Sequence, residues 1–173
     1  DISCDVVQSV SPESTYPFQS TINYQVKGSQ EGLKKMNADI VMKCRSDFFV
    51  HNPEIFNIFL KEETHDKIMY AEFGFKKEEL EYWIADFSQV SYRKTLLEFW
   101  NNLPLDDGKG QVDTELWLVK NYVLKTKKDH GAWESIKQKY FIPKGYHDVF
   151  QIEWEKAVKL EHYQNDILRH SIP

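Results

Sequence analysis

The chain has 173 residues, a net charge of −5, 41% hydrophobic and 14% aromatic residues, and two cysteines. That size and apolar share suit one packed domain and rule out global disorder, while the acidic balance argues against a general nucleic-acid coat. No apolar run reaches the roughly 18–20 residues of a membrane helix, no signal peptide is visible, and Cys4 and Cys44 do not make a disulfide framework, so a reducing compartment fits.

Residues 4–10 read as a short strand that stops at Ser11-Pro12. Because the chain opens at Asp1 and enters this run at once, preceding sequence is expected. Residues 21–36 read as a helix with Ile22, Val26, Leu33 and Met36 on its apolar face, and with Gly28, Ser29 and Gly32 leaving one side small. A strand over 39–45 follows. Asn52-Pro53 opens a second helix with Ile55, Phe56, Phe59 and Leu60 facing the core. Residues 67–73 and 82–90, rich in aromatic and β-branched side chains, read as strands, and 92–101 as a helix carrying Leu96, Leu97, Phe99 and Trp100.

The run Pro104-Leu-Asp-Asp-Gly-Lys-Gly110 is the clearest turn-rich break and is expected to form a mobile flap. Helices are predicted over 113–125 and 132–141, and Pro143 and Gly145 should break the chain. The stretch 149–168 begins strand-like at Val149–Ile152 and turns helical. Strands alternating with helices predict an α/β fold with a mostly parallel sheet flanked by helices.

The most informative stretch is 38–50. An apolar run (Ile40, Val41, Met42) meets Lys43, Arg45 and Asp47 and becomes apolar again at Phe48, Phe49 and Val50. Charges at the carboxyl end of a strand point to the crevice where open α/β sheets bind ligands. A carboxylate flanked by two cations there suits a phosphate-bearing ligand that a metal can bridge. The plain structural alternative is a surface Arg–Asp pair. Asp86, between Ile84, Ala85 and Phe87, must be paired or functional.

The order of these parts resembles the WavE-like family of lipopolysaccharide-synthesis glycosyltransferases. The resemblance rests on Asn23-Tyr24-Gln25, then Gly32-Leu33, then a strand ending Lys43-Cys44-Arg45-Ser46-Asp47, with Ile84-Ala85-Asp86-Phe87 and an acidic helix start at Glu115 further on. It covers roughly residues 5 to 125. The family pattern is Asn-Arg-Gln, a small-residue turn, Gly-Leu, a short gap, then Lys-x-Arg-Ser/Thr-Asp. Here Tyr24 stands where the family has Arg.

The resemblance implies a GT-A-like (Rossmann-related) fold, without its first strand–helix unit, that transfers a sugar from a nucleotide-sugar donor to a glycan hydroxyl. Such folds carry an Asp-x-Asp motif that holds a divalent cation, Mn or Mg, against the donor diphosphate. Arg45 occupies the first Asp position and Asp47 the last. Asp47 is then the candidate metal, ribose or sugar contact, and Arg45 a contact for the diphosphate or sugar. Asn23 and Gln25 would bond the nucleotide. Glu115 is the candidate acceptor base, with Asp113 and Asp86 as alternatives.

Each role has an ordinary counterpart. Acidic residues in a first helical turn stabilise the helix dipole by about 0.3–1 kcal/mol with no chemistry involved. His147 could complete a metal site or sit exposed in a turn, and His51 lies near Asp47 in sequence. The five tryptophans include candidate sugar platforms, though most belong in a core. Lys125–Lys128 is a solvated helix end or a peripheral contact with a membrane surface. A cytoplasmic location at such a surface follows from the resemblance alone. The rival reading is a non-catalytic carbohydrate- or nucleotide-binding module.

Overall fold

The computed structural model describes residues 6–62 and 65–154. Helix α1 (Ile22–Lys35) leads into β1 (Ile40–Cys44), then the short β2 (Phe49–Val50), α2 (Ile55–Lys61) and β3 (Ile68–Glu72). A single 3-10 turn, Lys76–Glu79, precedes β4 (Ser88–Tyr92) and α3 (Arg93–Asn101). Helix α4 (Thr114–Lys120) runs directly into a π-helical stretch, Asn121–Thr126, and α5 (Trp133–Tyr140) runs directly into β5 (Phe141–Gly145). β6 (Ile152–Glu153) pairs antiparallel with β2 in a two-stranded ribbon.

The fold is α/β, with a mixed four-stranded sheet in the order β1-β4-β3-β5. β4 runs antiparallel to both neighbours, with Val90 opposite Met42 on one side and Met69 on the other. Only β3 and β5 are parallel, Met69 opposite Ile142. The mostly parallel sheet expected from the sequence is therefore corrected. Parallel neighbours need a crossover, usually helical. The β3–β4 connection contains only the 3-10 turn, so the chain returns antiparallel; α2 carries the crossover from β1 to β3, and β4 inserts between them.

Most predicted elements appear with shifted ends. Residues 6–10 form no strand, and Val6 and Val10 are exposed; residues 4 and 5 lie outside the described residues. The second predicted aromatic strand is paired only from Ser88 on, although Trp83–Phe87 is buried. Pro143 does not stop the chain: it sits opposite Tyr70 in β5, a sheet edge, where a missing N–H is tolerated. Of the four α2 side chains expected to face the core, Ile55 and Phe59 do so, while Phe56 and Leu60 are exposed. Trp154 ends the described residues, so the helical tail expected after it lies outside them.

The core gathers side chains from both sides of the sheet, including Ile22 and Val26 of α1, Leu96, Phe99 and Trp100 of α3, and Leu118, Tyr122 and Val123 from α4 and the π-turn. The Trp100 indole donates to Gln89 Oε1 at 3.1 Å, so this buried pair satisfies itself. At the other end of the sheet an aromatic cluster forms around Phe73. Its ring stacks on Tyr146 (centroids 4.8 Å) and Phe75 (5.2 Å) and meets Phe87 edge-on (5.3 Å). Phe48 and Trp154 complete the cluster.

This cluster is the floor beneath the charged end of β1. Phe73→Ala is expected to cost about 3–5 kcal/mol, read as a lowered urea midpoint together with loss of near-UV circular dichroism.

Candidate functional site

β1 delivers the charged cluster. Arg45 N donates to Phe87 O (3.1 Å), the last contact of the β1–β4 ladder, and the chain then turns at Ser46 and Asp47. The Arg45 guanidinium lies over the rings of Phe48 and Phe87, 5.6 and 5.5 Å from their centroids. It meets Asp47 as a fork, Nε to Oδ1 at 2.9 Å and Nη2 to Oδ2 at 3.0 Å. The Trp154 indole N–H also reaches Asp47 Oδ2, at 3.4 Å. The hydrogen bonds to Asp47, against burial, hold the Arg45 pKa above its ordinary value, with Asp86 and Glu115 adding to the effect.

The pair is not sealed. Arg45 and Asp47 keep about a third of their side-chain surface, 30% and 36%. They line an open cleft of about 600 Å³ between β1 and α1, with Lys43, Cys44 and Ser46 on one wall and Thr21, Tyr24, Gln25, Gly28 and Ser29 on the other. That is the size range of small-ligand sites. Gln25 Oε1 is buried in this wall with no hydrogen-bond partner. A narrower groove of about 260 Å³ continues the cleft along β1 to Met36, past Gly32 and Leu33. A Cβ on Gly28 or Gly32 would meet nothing within 4 Å, so the small side of α1 keeps this space open.

Asp86 is 2% exposed, and neither carboxylate oxygen accepts a hydrogen bond. Its compensation is Lys43, whose Nζ lies 3.6 Å from Oδ2, donates to the Asp86 backbone carbonyl and sits over the Trp100 ring. A buried charge without a partner is costly, so Lys43 and Asp86 hold each other in place.

Glu115 stands in the first turn of α4, half-buried. Burial, then the neighbouring Asp86 carboxylate, pushes its pKa up to about 7, with Asp113 adding to the rise. Glu115 does not line the cleft; its charge, like that of Asp86, acts on the Arg45 guanidinium from nearby. Asp113 has a different job. Its Oδ1 accepts from Leu116 N as the cap of α4, and its Oδ2 accepts from Lys77 at 2.8 Å. Burial opposes these bonds but does not outweigh them, and its pKa falls. Asp113 is thus occupied in holding α4 and the 3-10 turn together.

Arg45, Asp47, Asp86 and Glu115, singled out from separate segments, are brought together, and Gln25 faces the same cleft. Asn23 is turned away from it. Buried on α1, it donates to Asp106 O (2.9 Å) and accepts from Asp106 N (2.8 Å). This clamp, and Phe18 N donating to Gly108 O, pin the loop expected to be a mobile flap. Gly108 is required there: its φ is +70°, and a Cβ would fall 2.5 Å from Thr15 Cβ.

His51 bonds Glu153 across the β2–β6 ribbon at 2.8 Å rather than Asp47. His147 lies in another cleft, beside Glu72, Gly145 and Asp148. Among the tryptophans only Trp117 is not fully buried. Lys127 pairs with Glu98 over Tyr122 and Tyr140, leaving Lys125 and Lys128 exposed. Among the described residues no helix is long and apolar enough to cross a membrane. Sequence reading counted Trp154 among the candidate sugar platforms but missed its contact with Asp47, and it missed the π-helical stretch. An aromatic residue so far along the chain gives no local sign that it will reach Asp47.

A carboxyl whose folded pKa lies above its unfolded value favours the fold when protonated, and that contribution is lost as pH rises from about 4.5 to about 7. Glu115→Gln should therefore be more stable than the parent at pH 8, by ~1–2 kcal/mol after allowing for partial solvent screening, with the gap closing near pH 5 in parallel urea titrations. Asn23→Ala leaves the Asp106 backbone unsatisfied and should cost about 1–3 kcal/mol at any of these pH values, with faster proteolysis within residues 104–110.

Compared with protein-family models, with curated proteins and with solved structures, the chain has no significant match.

Proposed function

We propose that the protein is a GT-A-like glycosyltransferase that moves a sugar from a nucleotide-sugar donor to a glycan hydroxyl. The observation that carries this reading is the open cleft at the carboxyl end of β1, with the paired Arg45 and Asp47 at its mouth and the high-pKa Glu115 acting on Arg45 from nearby. The donor diphosphate lies against Arg45 and Lys43, with Gln25 and Ser46 as hydrogen-bonding neighbours. The acceptor oxygen attacks the anomeric carbon, the bond from that carbon to the diphosphate oxygen breaks, and the electron pair leaves with the nucleoside diphosphate. Arg45 and Lys43 stabilise the charge that grows there.

The acceptor must lose its proton in the same step. Glu115, with a pKa near neutrality, is suited to take it: such a base is substantially ionised at pH 7 yet basic enough to matter. Burial keeps it so, and the Asp86 carboxylate adds to the effect because two negative charges close together resist joint ionisation. Work on a glycan at a membrane surface belongs to this same proposal.

Incubation with a panel of nucleotide sugars, following nucleoside diphosphate release, tests the reading. The rate should climb with pH through about 7, as Glu115 ionises. Glu115→Gln should lower kcat by about 10²–10⁴-fold and abolish that rise. Binding of free sugar or nucleotide, with no turnover of any donor, would replace the enzyme by a binding module.

A further inference from the structure

We propose that this cleft binds the donor diphosphate through the Arg45 guanidinium, with no divalent metal on Asp47. The inference rests on the donor-cleft reading above and specifies what the site recognises.

Among the described residues Asp47 is the one carboxylate lining the cleft, and both of its oxygens are already engaged: Oδ1 by Arg45 Nε, and Oδ2 by Arg45 Nη2 and the Trp154 indole. A metal would need those lone pairs at about 2.0–2.6 Å. It would then share one carboxylate with a guanidinium that cannot withdraw, because Arg45 is seated on Phe48 and Phe87 and cannot lose its proton. The two cations would repel at close range.

Among the described residues no second carboxylate lines the cleft. Asp86 is buried against Lys43, and Asp113 is spent on Lys77 and the α4 cap. Among the described residues no three His, Cys, Asp or Glu side chains gather as a metal site.

The same geometry suits an anion. A guanidinium carries five N–H donors in a fixed fork. Asp47 takes two of them from Arg45, and three remain. A planar fork that is already oriented loses little entropy when it meets two phosphate oxygens. Lys43 supplies a second cation on the same wall. Asp47 is then a positioning residue, which holds Arg45 rather than touching the ligand.

Calorimetry with uridine and guanosine diphosphates, in EDTA and in millimolar manganese, decides the matter. One of the two should bind in EDTA, with an affinity that manganese changes by less than about threefold. Arg45→Ala should weaken that binding by at least about tenfold, with circular dichroism confirming the fold. Asp47→Asn keeps one of the two acceptors of the fork and should weaken binding in EDTA clearly less than Arg45→Ala does.

Binding seen only with manganese and lost in Asp47→Asn would overturn the metal-free site while leaving the donor cleft standing. Binding in EDTA that ignores Arg45→Ala would overturn the role of Arg45. Silence toward both nucleotides under both conditions, together with no release from any nucleotide sugar, would remove the donor-cleft reading itself.

Discussion

The site depends on one seated cation. Arg45 could not hold its position at the mouth of an open cleft by a salt bridge alone, since exposed pairs are worth little and are mobile. Here the guanidinium rests on two aromatic faces, Phe48 and Phe87, and is locked in plane by the Asp47 fork. Those faces are in turn fixed by Phe73, Tyr146 and Trp154. The aromatic cluster therefore does two things: it closes one end of the core and it orients the charge that faces the cleft.

A second consequence is electrostatic. Arg45 feels the charge of both Asp86 and Glu115, Lys43 sits against Asp86, and the two carboxylates still repel each other. Lys43 compensates the buried Asp86. Glu115 has no such close partner and takes the penalty as a raised pKa. Three carboxylates in one neighbourhood thus have three fates: Asp86 paired and buried, Asp113 capping α4, and Glu115 poised near neutrality. The division of labour follows from which cation each one reaches.

Much of this was visible in the chain. The apolar-charged-apolar order of residues 40–50 marks a strand whose end opens into a crevice, and β1 ends at Cys44 with the cleft beside it. Asp86 among apolar neighbours signalled a carboxylate either paired or functional, because desolvation leaves no cheaper option, and it is buried beside Lys43. The helical spacing in α1 and α3 placed Ile22, Val26, Leu96, Phe99 and Trp100 correctly in the core.

What the sequence by itself determined, then, is the set of elements and the chemistry each one carries, since periodicity and charge are local properties. Only the tertiary structure decided which of them meet. Strand direction in the sheet depends on what the β3–β4 connection contains and on where β4 inserts, not on the strand's own residues. Asn23 looked like a ligand contact from its neighbours on α1, but its amide found the Asp106 backbone 83 residues away. Trp154 reached Asp47 across 107 residues, and Glu115 acquired its near-neutral pKa from burial and then from the Asp86 carboxylate of another segment. Such contacts are set by packing of the whole chain, because a hydrogen bond or a Coulomb interaction responds to distance in space and carries no trace in the local sequence.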